Sequence, residues 1–349
     1  MEHDELNDRE KNILRHVIQQ FIVTASPVGS KNIARKFNLK ISPATVRNIM
    51  AELEDSGFID HPHTSAGRVP TDKGYRYYVD SLMNKKELHK SEKGLINKNF
   101  EVNINETEEL IRITSMLLSS ITHQLACVSY PKLETGILEK LQIVNLTSSR
   151  ILVIITIKSG LVKTITLELT SNIKSSQIDS VQSLLNEKLA GLTFNEIRKT
   201  FKERFKDVEE EQKPIIRVFV DSIDKIFTNI KRNESLVITG AKNVIRQPEF
   251  EDPHRFQGII ELIEDKDVII HIMEKSNDNS TGEVYISIGS ENEMEMLHEY
   301  SLVSKEYKLG DISGTLGIIG PKRMEYSRIV AIVDYMANVL TDFMKNTNT

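Results

Sequence analysis

The N-terminal part of the chain spaces its apolar residues with the period of short helices. Ile13, Leu14, Val17, Ile18 and Phe21 define the inward face of a first helix. Asn7-Asp8-Arg9-Glu10 opens it with the composition of a capping box. Pro27-Val-Gly-Ser30 breaks the pattern, and Ser30 is placed to cap a short second helix with Ile33, Ala34 and Phe37 on its buried side. After Asn38-Leu39-Lys40-Ile41, Ser42-Pro43 predicts a third helix, with Ser as N-cap and Pro in the first turn. Val46, Ile49, Met50 and Leu53 recur at i, i+3, i+4 and i+7 and face inward, and Gly57 ends the helix. Phe58-Ile-Asp-His61 and Arg68-Val-Pro70 then flank a polar, Gly-containing tip, which predicts a short hairpin, or wing. Thr71 or Asp72 caps a further helix carrying Tyr75, Tyr77, Tyr78, Val79 and Leu82.

Beyond this module the pattern thins and then changes type. Residues 84–105 are rich in Lys, Glu, Asn and Ser with few apolar anchors, the composition of a linker or a loosely attached helix. Helical spacing returns from Glu106 to Leu125. Three strands are predicted over Leu138–Leu146, Arg150–Ile157 and Leu161–Leu169, then helices over Gln177–Leu189, Phe194–Phe205 and Ile215–Ile230. Short strands at Leu236–Thr239, Val268–Ile272, Glu283–Ile288 and Leu316–Ile319 surround a helix at Pro253–Ile263. A closing helix runs from Tyr326 to Met344, lined by Ile329, Val330, Val333, Met336, Ala337, Leu340 and Phe343. Two α+β pieces on either side of a helical piece read as one domain carrying an insertion.

Composition adds little until it is made local. The 349 residues are 39% hydrophobic and 27% charged, ordinary for a soluble protein. The acidic start Met-Glu-His-Asp-Glu is unlike a secretory signal, and no apolar run has bilayer-spanning length, so a cytoplasmic location is expected. The net charge of −5 argues against nucleic acid only if the whole chain is averaged. From Thr24 to Ala51 the chain carries Lys31, Arg35, Lys36, Lys40 and Arg47 and no acidic residue. Inside that basic window, Ala44, Thr45, Arg47, Asn48 and Ala51 point outward from the third helix, after the Ser42 cap. Guanidinium pairs with guanine, amide with adenine, and small methyl-bearing side chains allow close approach and contact with thymine. Arg68, His63 and Thr64 in the wing reach toward phosphate or a minor groove.

Other candidate chemistry recedes on inspection. His61 and His63 share one face of a strand, but the sequence nearby offers no third and fourth metal ligand, so they read as polar wing residues. The tyrosines at 75, 77 and 78 read as packing for the helix after the wing rather than as a stacking platform. Cys127, the single cysteine, reads as a small buried side chain. The Gly314-Thr-Leu-Gly317-Ile-Ile-Gly320 string fits neither phosphate-binding fingerprint and reads as a strand and turn. With no nucleophile–base pair, metal cluster or carboxylate pair, the sequence gives no reason to expect an enzyme, a metal or a cofactor.

Three strings carry a resemblance to a known family. Leu6-Asn-Asp-Arg-Glu through Pro27-Val-Gly-Ser30, Ser42-Pro-Ala-Thr-Val-Arg-Asn-Ile-Met50 through Gly57, and His63-Thr-Ser-Ala-Gly-Arg-Val-Pro through Tyr78 resemble the heat-inducible transcription repressor HrcA family. The resemblance extends more loosely over the rest of the chain. It implies a multidomain α+β protein: a winged helix-turn-helix at 1–75, a linker at 76–105, and a GAF-like α+β domain at 106–170 and 235–349. An inserted helical dimerisation domain would occupy 171–234. It further implies a homodimer on an inverted-repeat operator, the CIRCE element of chaperone operons, with release on heat shock and the chaperonin GroEL as modulator. A winged-helix regulator switched by a small ligand in the GAF-like domain is the alternative.

Overall fold

Helix α1 (Asp8–Thr24) begins at a complete capping box: the Asn7 side chain accepts from the amides of Arg9 and Glu10, and Glu10 accepts from the Asn7 amide at 2.7 Å. Ala25, at φ 50°, ends it in the left-handed conformation. The computed structural model describes residues 6–37, 41–62, 67–84, 86–100, 107–169, 175–209, 212–228, 235–278 and 282–346. Helix α2 (Ser30–Lys36) starts one residue earlier than its sequence suggests: Gly29 is the cap position, and Ser30 is already helical and makes no cap bond. Helix α3 (Pro43–Asp55) buries Val46, Ile49, Met50 and Leu53, each at 7% exposure or less. Each such side chain contributes about 1.5–3 kcal/mol of burial free energy, which fixes the rotation of α3 about its axis.

Strands β1 (Ile59–Asp60) and β2 (Val69–Pro70) pair antiparallel, Ile59 with Pro70 and Asp60 with Val69. Val28 and Arg68 exchange both backbone hydrogen bonds, adding a third short strand to the wing base. Thr71 caps α4 (Asp72–Tyr77), which continues into a π-helical turn at Tyr78–Leu82. Tyr75 and Tyr78 are buried, as their packing role predicts, and Tyr77 meets Phe58 edge to face. Gly74 lies so close to β1 that a Cβ there would stand 2.0 Å from the Phe58 carbonyl oxygen, so no other residue fits without moving the backbone.

The stretch expected to be a linker or a loosely attached helix contains a docked helix, α5 (Lys90–Phe100), with Ile96 and Phe100 buried and Glu92 paired to Arg328 at 2.8 Å. Helix α6 (Thr107–Thr122) leads into β3 (Leu125–Ser129), a strand whose short LACVS sequence does not stand out from the preceding apolar helix. Cys127 is fully buried there, and burial pushes its thiol up to about 12.

Strands β4 (Leu138–Thr147), β5 (Arg150–Ile157) and β6 (Val162–Glu168) form an antiparallel three-stranded sheet in the order β4-β5-β6. On β5, Ile151, Val153, Ile155 and Ile157 alternate inward. Helix α7 (Ser175–Leu189) covers the β4 edge: Asn186 accepts from the Leu141 amide and donates to its carbonyl at 2.8 and 2.7 Å, and Gln182 accepts from the Ile143 amide. Helix α8 (Phe194–Arg204) follows, and the single helix expected at 215–230 is two, α9 (Lys213–Asp221) and α10 (Ile223–Phe227), broken at Ser222.

Strand β7 (Leu236–Thr239), α11 (Ala241–Val244), α12 (Pro253–Glu264) and α13 (Lys266–Asp278) come next. Helix α13 corrects the strand expected at 268–272. Its Val-Ile-Ile run has strand-like composition, but Ile269, Ile270 and Met273 are buried at helical spacing. Strands β8 (Tyr285–Ile288), β9 (Tyr300–Leu309) and β10 (Ile312–Pro321) complete a five-stranded sheet ordered β7-β3-β10-β9-β8. The glycine string forms β10, and a Cβ on Gly314 would strike the Tyr307 hydroxyl at 2.5 Å. The closing helix α14 (Tyr326–Asn346) buries Ile332 rather than Val330.

The architecture is thus a winged helix-turn-helix followed by a mixed α+β domain whose five-stranded sheet carries an insertion between β3 and β7. Two compact units divide the chain: Met1–Val128, Val237–Glu306 and Leu316–Ala337 in one, Ser129–Leu236, Tyr307–Thr315 and Asn338–Thr349 in the other. The insertion is therefore not helical alone. Strands β4 to β6, expected in the GAF-like domain, fall in the same compact unit as α7 to α10, with α7 packed along β4. No helix among the described residues is long and apolar enough to cross a membrane.

Candidate nucleic-acid interface

The outer face of α3 follows from its inner one. With Val46, Ile49, Met50 and Leu53 inside, the helical period turns Ala44, Arg47, Asn48 and Ala51 outward, and all four are exposed. Among the described residues, neither the Arg47 guanidinium nor the Asn48 amide is engaged by another side chain or by backbone. Ser42 accepts from the Thr45 amide at 3.1 Å, and the two hydroxyls lie 3.0 Å apart, so Thr45 is held half-buried at the helix entrance. The first turn carries no acidic residue to offset the positive end of the helix dipole. Lys31 and Arg35 are exposed on α2, and Lys36 donates to Gln20 on α1 at 2.5 Å. Lys40, His63 and Thr64 lie outside the described residues.

Arg68 stands at the wing base in a role that sequence reasoning missed. Its Nε donates to Glu54 Oε2 at 2.5 Å, and the other oxygen of that carboxylate meets His61 Nδ1. Glu54 sits in the last turn of α3, where the helix dipole disfavours an acid, and the Arg68 guanidinium offsets that cost. The pairing ties both wing strands to the helix that carries Arg47. The ligand-bearing atoms of Glu54, Asp60 and His61 fall within 4.8 Å of one another, a grouping that spacing alone did not suggest. With Glu54 already engaged by Arg68, the trio is better explained as the anchor of the wing than as a metal centre. A Glu seven residues before a His and fourteen before an Arg was the only trace of it in sequence.

The terminal nitrogens of Arg68 have no hydrogen-bond partner among the described residues, which leaves them for phosphate. Arg68→Ala is expected to weaken specific and scrambled DNA equally and to lower the slope of log K against log salt by about 0.9. A loss confined to the specific sequence would place this side chain on a base edge instead.

A second set of contacts joins the wing helix to the five-stranded sheet within the same unit. Asp72 on α4 meets Lys322 at 2.8 Å and accepts from the Ser290 amide at 2.9 Å, while Arg76 grips Glu291 through Nε and Nη2 at 2.7 and 2.5 Å. Burial alone would push the Asp72 carboxyl up, but Lys322 and the Ser290 amide outweigh it and hold it below the usual carboxylate range. A carboxyl depressed in the folded state stabilises fully above its unfolded value, and that contribution is lost as pH falls through the folded one. The melting temperature of the protein should therefore drop more steeply from roughly pH 5 to pH 3 than that of Asp72→Asn. Parallel curves would remove Asp72 from the acid response.

Comparison with known proteins accords with this geometry. Residues 5–83 match the family described as a winged helix-turn-helix transcription repressor, HrcA DNA-binding, and residues 108–330 match the HrcA protein C-terminal domain. A heat-inducible transcription repressor HrcA of Chlorobium phaeobacteroides (strain BS1) is 41% identical over 349 residues, covering 98% of this chain and 99% of the relative. Its counterpart in Chlorobaculum tepidum is 42% identical over the full length of both chains. A solved structure described as a hypothetical protein has the same fold, with a TM-score of 0.63 at 20% identity over 98% of this chain and 100% of its own. On these matches the chain belongs to the HrcA family of heat-inducible transcription repressors, with a winged-helix DNA-binding domain at its N-terminus.

Proposed function

We propose that the chain represses chaperone operons in the cytoplasm by binding the inverted-repeat CIRCE operator as a homodimer. The observation that carries this reading is the outer face of α3, where Arg47 and Asn48 stand exposed beside Ala44 and Ala51 with no partner among the described residues. One such helix touches only a few base pairs, so a useful operator calls for two, in successive major grooves. The DNA-contacting set would be Ser42, Ala44, Thr45, Arg47, Asn48 and Ala51, supported by Lys31, Lys40, His63, Thr64 and Arg68.

The insertion suits a dimer contact. Val144 and Leu146 on β4 and Val162 on β6 are 44%, 50% and 55% exposed, an unusual share of apolar surface for one small sheet. Heat release follows from marginal stability, since losing about 1–2 kcal/mol changes the folded-to-unfolded ratio roughly 5- to 30-fold. A chaperonin of the GroEL type that refolds the repressor would then set its active level.

A gel shift on an inverted-repeat probe, with scrambled DNA as control, tests the reading. Binding at growth temperature with two chains per probe, lost on heating and restored by refolding with chaperonin, is the expected result. Equal affinity for both probes, or one chain per probe, contradicts it.

A further inference from the structure

The first unit contains a cleft of about 380 Å³ between the wing base and the five-stranded sheet, within the range of small-molecule sites. Its walls are apolar: Phe21, Pro27, Val69 and Pro70 on the wing side, Phe250 and Tyr300 on the other. The Phe250 and Tyr300 rings are nearly parallel, 12° apart with centroids 6.3 Å from one another. Parallel rings and prolines lining one cleft make a slot suited to a flat aromatic group.

The polar groups of the slot favour an acid. Tyr75 also lines it, is 2% exposed, and its hydroxyl has no hydrogen-bond partner among the described residues, an uncommon state for a buried phenol. Burial first of all holds that hydroxyl well above its ordinary value, so it stays protonated and is available to donate. Arg323 gives Nε and Nη2 to Glu249 and Nη1 to the Ile22 carbonyl, engaging three of its five N–H groups. Arg255 and Lys322 also line the cleft, each already paired, to Glu299 and Asp72 at 2.9 and 2.8 Å, so Arg323 with its two remaining N–H groups is the cation left to meet a carboxylate beside Tyr75.

We infer that this cleft binds a small aromatic carboxylate, its ring between the prolines and the Phe250–Tyr300 pair and its carboxylate accepting from Tyr75 and Arg323. Pro27 precedes α2 and Val69-Pro70 is β2, so the occupant would join the two segments flanking the DNA-reading helices to the sheet. By fixing that arrangement it shifts operator affinity by its differential affinity for the two states. The site stands without the operator reading; only its consequence for DNA rests on that reading.

The chain contains no tryptophan, so the fluorescence of indole-3-acetate reports binding directly. With the full chain and no DNA, a saturable one-to-one change with Kd below about 1 mM is expected, and uncharged indole should bind about fivefold or more weakly. Tyr75→Phe removes only the unpartnered hydroxyl; it should leave the melting temperature undiminished and weaken indole-3-acetate about fivefold or more. Val69→Phe should fill the slot and abolish binding. No saturable signal, indole binding as tightly as the acid, or Tyr75→Phe binding like the unaltered chain would overturn the site. Operator titrations with and without saturating indole-3-acetate then test the coupling: a shift of about threefold or more supports it, and identical affinities overturn it.

Discussion

Replacing Arg47 with alanine is expected to weaken binding to the inverted repeat by about 1–3 kcal/mol for each half-site, roughly 5- to 150-fold. A symmetric dimer loses that amount twice. The expectation rests on the side chain having nothing to do inside the protein: it is exposed on α3 and no described residue holds it. Alanine has the best helix propensity, so the fold should be unchanged to within about 0.5 kcal/mol. Asn48→Ala should cost a similar amount on the specific sequence and almost nothing on scrambled DNA, because it removes no charge. Arg47→Ala should lose a little on both, through its charge, and far more on the operator. Fluorescence anisotropy at one fixed salt concentration separates these terms. If both variants lost as much on scrambled DNA as on the operator, α3 would be a phosphate-contacting helix and not a reader of bases.

The rotation of α3 was legible because local rules decide it. Ser42 and Pro43 set where the helix starts, Gly57, at φ 75°, sets where it stops, and four apolar residues at helical spacing set which side is buried. The outward position of Arg47 and Asn48 is then geometry. Strands β4 to β6 were legible for a similar reason, since serine and glycine turns punctuate alternating runs. What the periodicity missed was long-range. Strand β3 pairs with β10, far along the chain, and follows an apolar helix with no break in hydrophobicity; β9 lies between its chain neighbours β8 and β10, and its polar and charged residues mask the alternation that would have marked it. At Val268–Ile272, β-branched composition pointed to a strand, but packing on one helical face decided otherwise.

The same division holds at the interface. The residues proposed to read bases could be named from α3 alone, whereas the Glu54 anchor needs three elements in place before it has meaning: α3, the segment after β1 and the one before β2. Arg68, readable in sequence only as a wing cation, turns out to join helix and wing. The cleft lined by Tyr75 is less legible still, because its walls come from residues 21 to 75 on one side and 249 to 323 on the other.

Arg323→Met is expected to lower stability by about 3 kcal/mol, toward the low end for breaking a buried ion pair. The Arg323 and Glu249 side chains are each 15% exposed, with bonds of 2.5 and 3.1 Å between them. Methionine occupies similar space but leaves the Glu249 carboxylate partly buried without its cation. It also leaves the Ile22 carbonyl, near the end of α1, without the donor it has at 2.5 Å. Since about 1 kcal/mol corresponds to roughly 2–4 °C in a unit of this size, the melting temperature should fall by about 6–12 °C. The isolated pair is not a large source of stability; the cost is that of the orphaned charge. Adding Glu249→Leu to Arg323→Met should therefore recover most of the loss, a positive coupling in the double-mutant cycle. What the double variant does not recover is the link from Ile22 to the sheet. Hydrogen exchange in α1 near residue 22 should stay faster than in the unaltered chain even where the melting temperature returns. A single variant as stable as the parent, or a double variant no better than the single, would show that Arg323 neither neutralises Glu249 nor holds the end of α1.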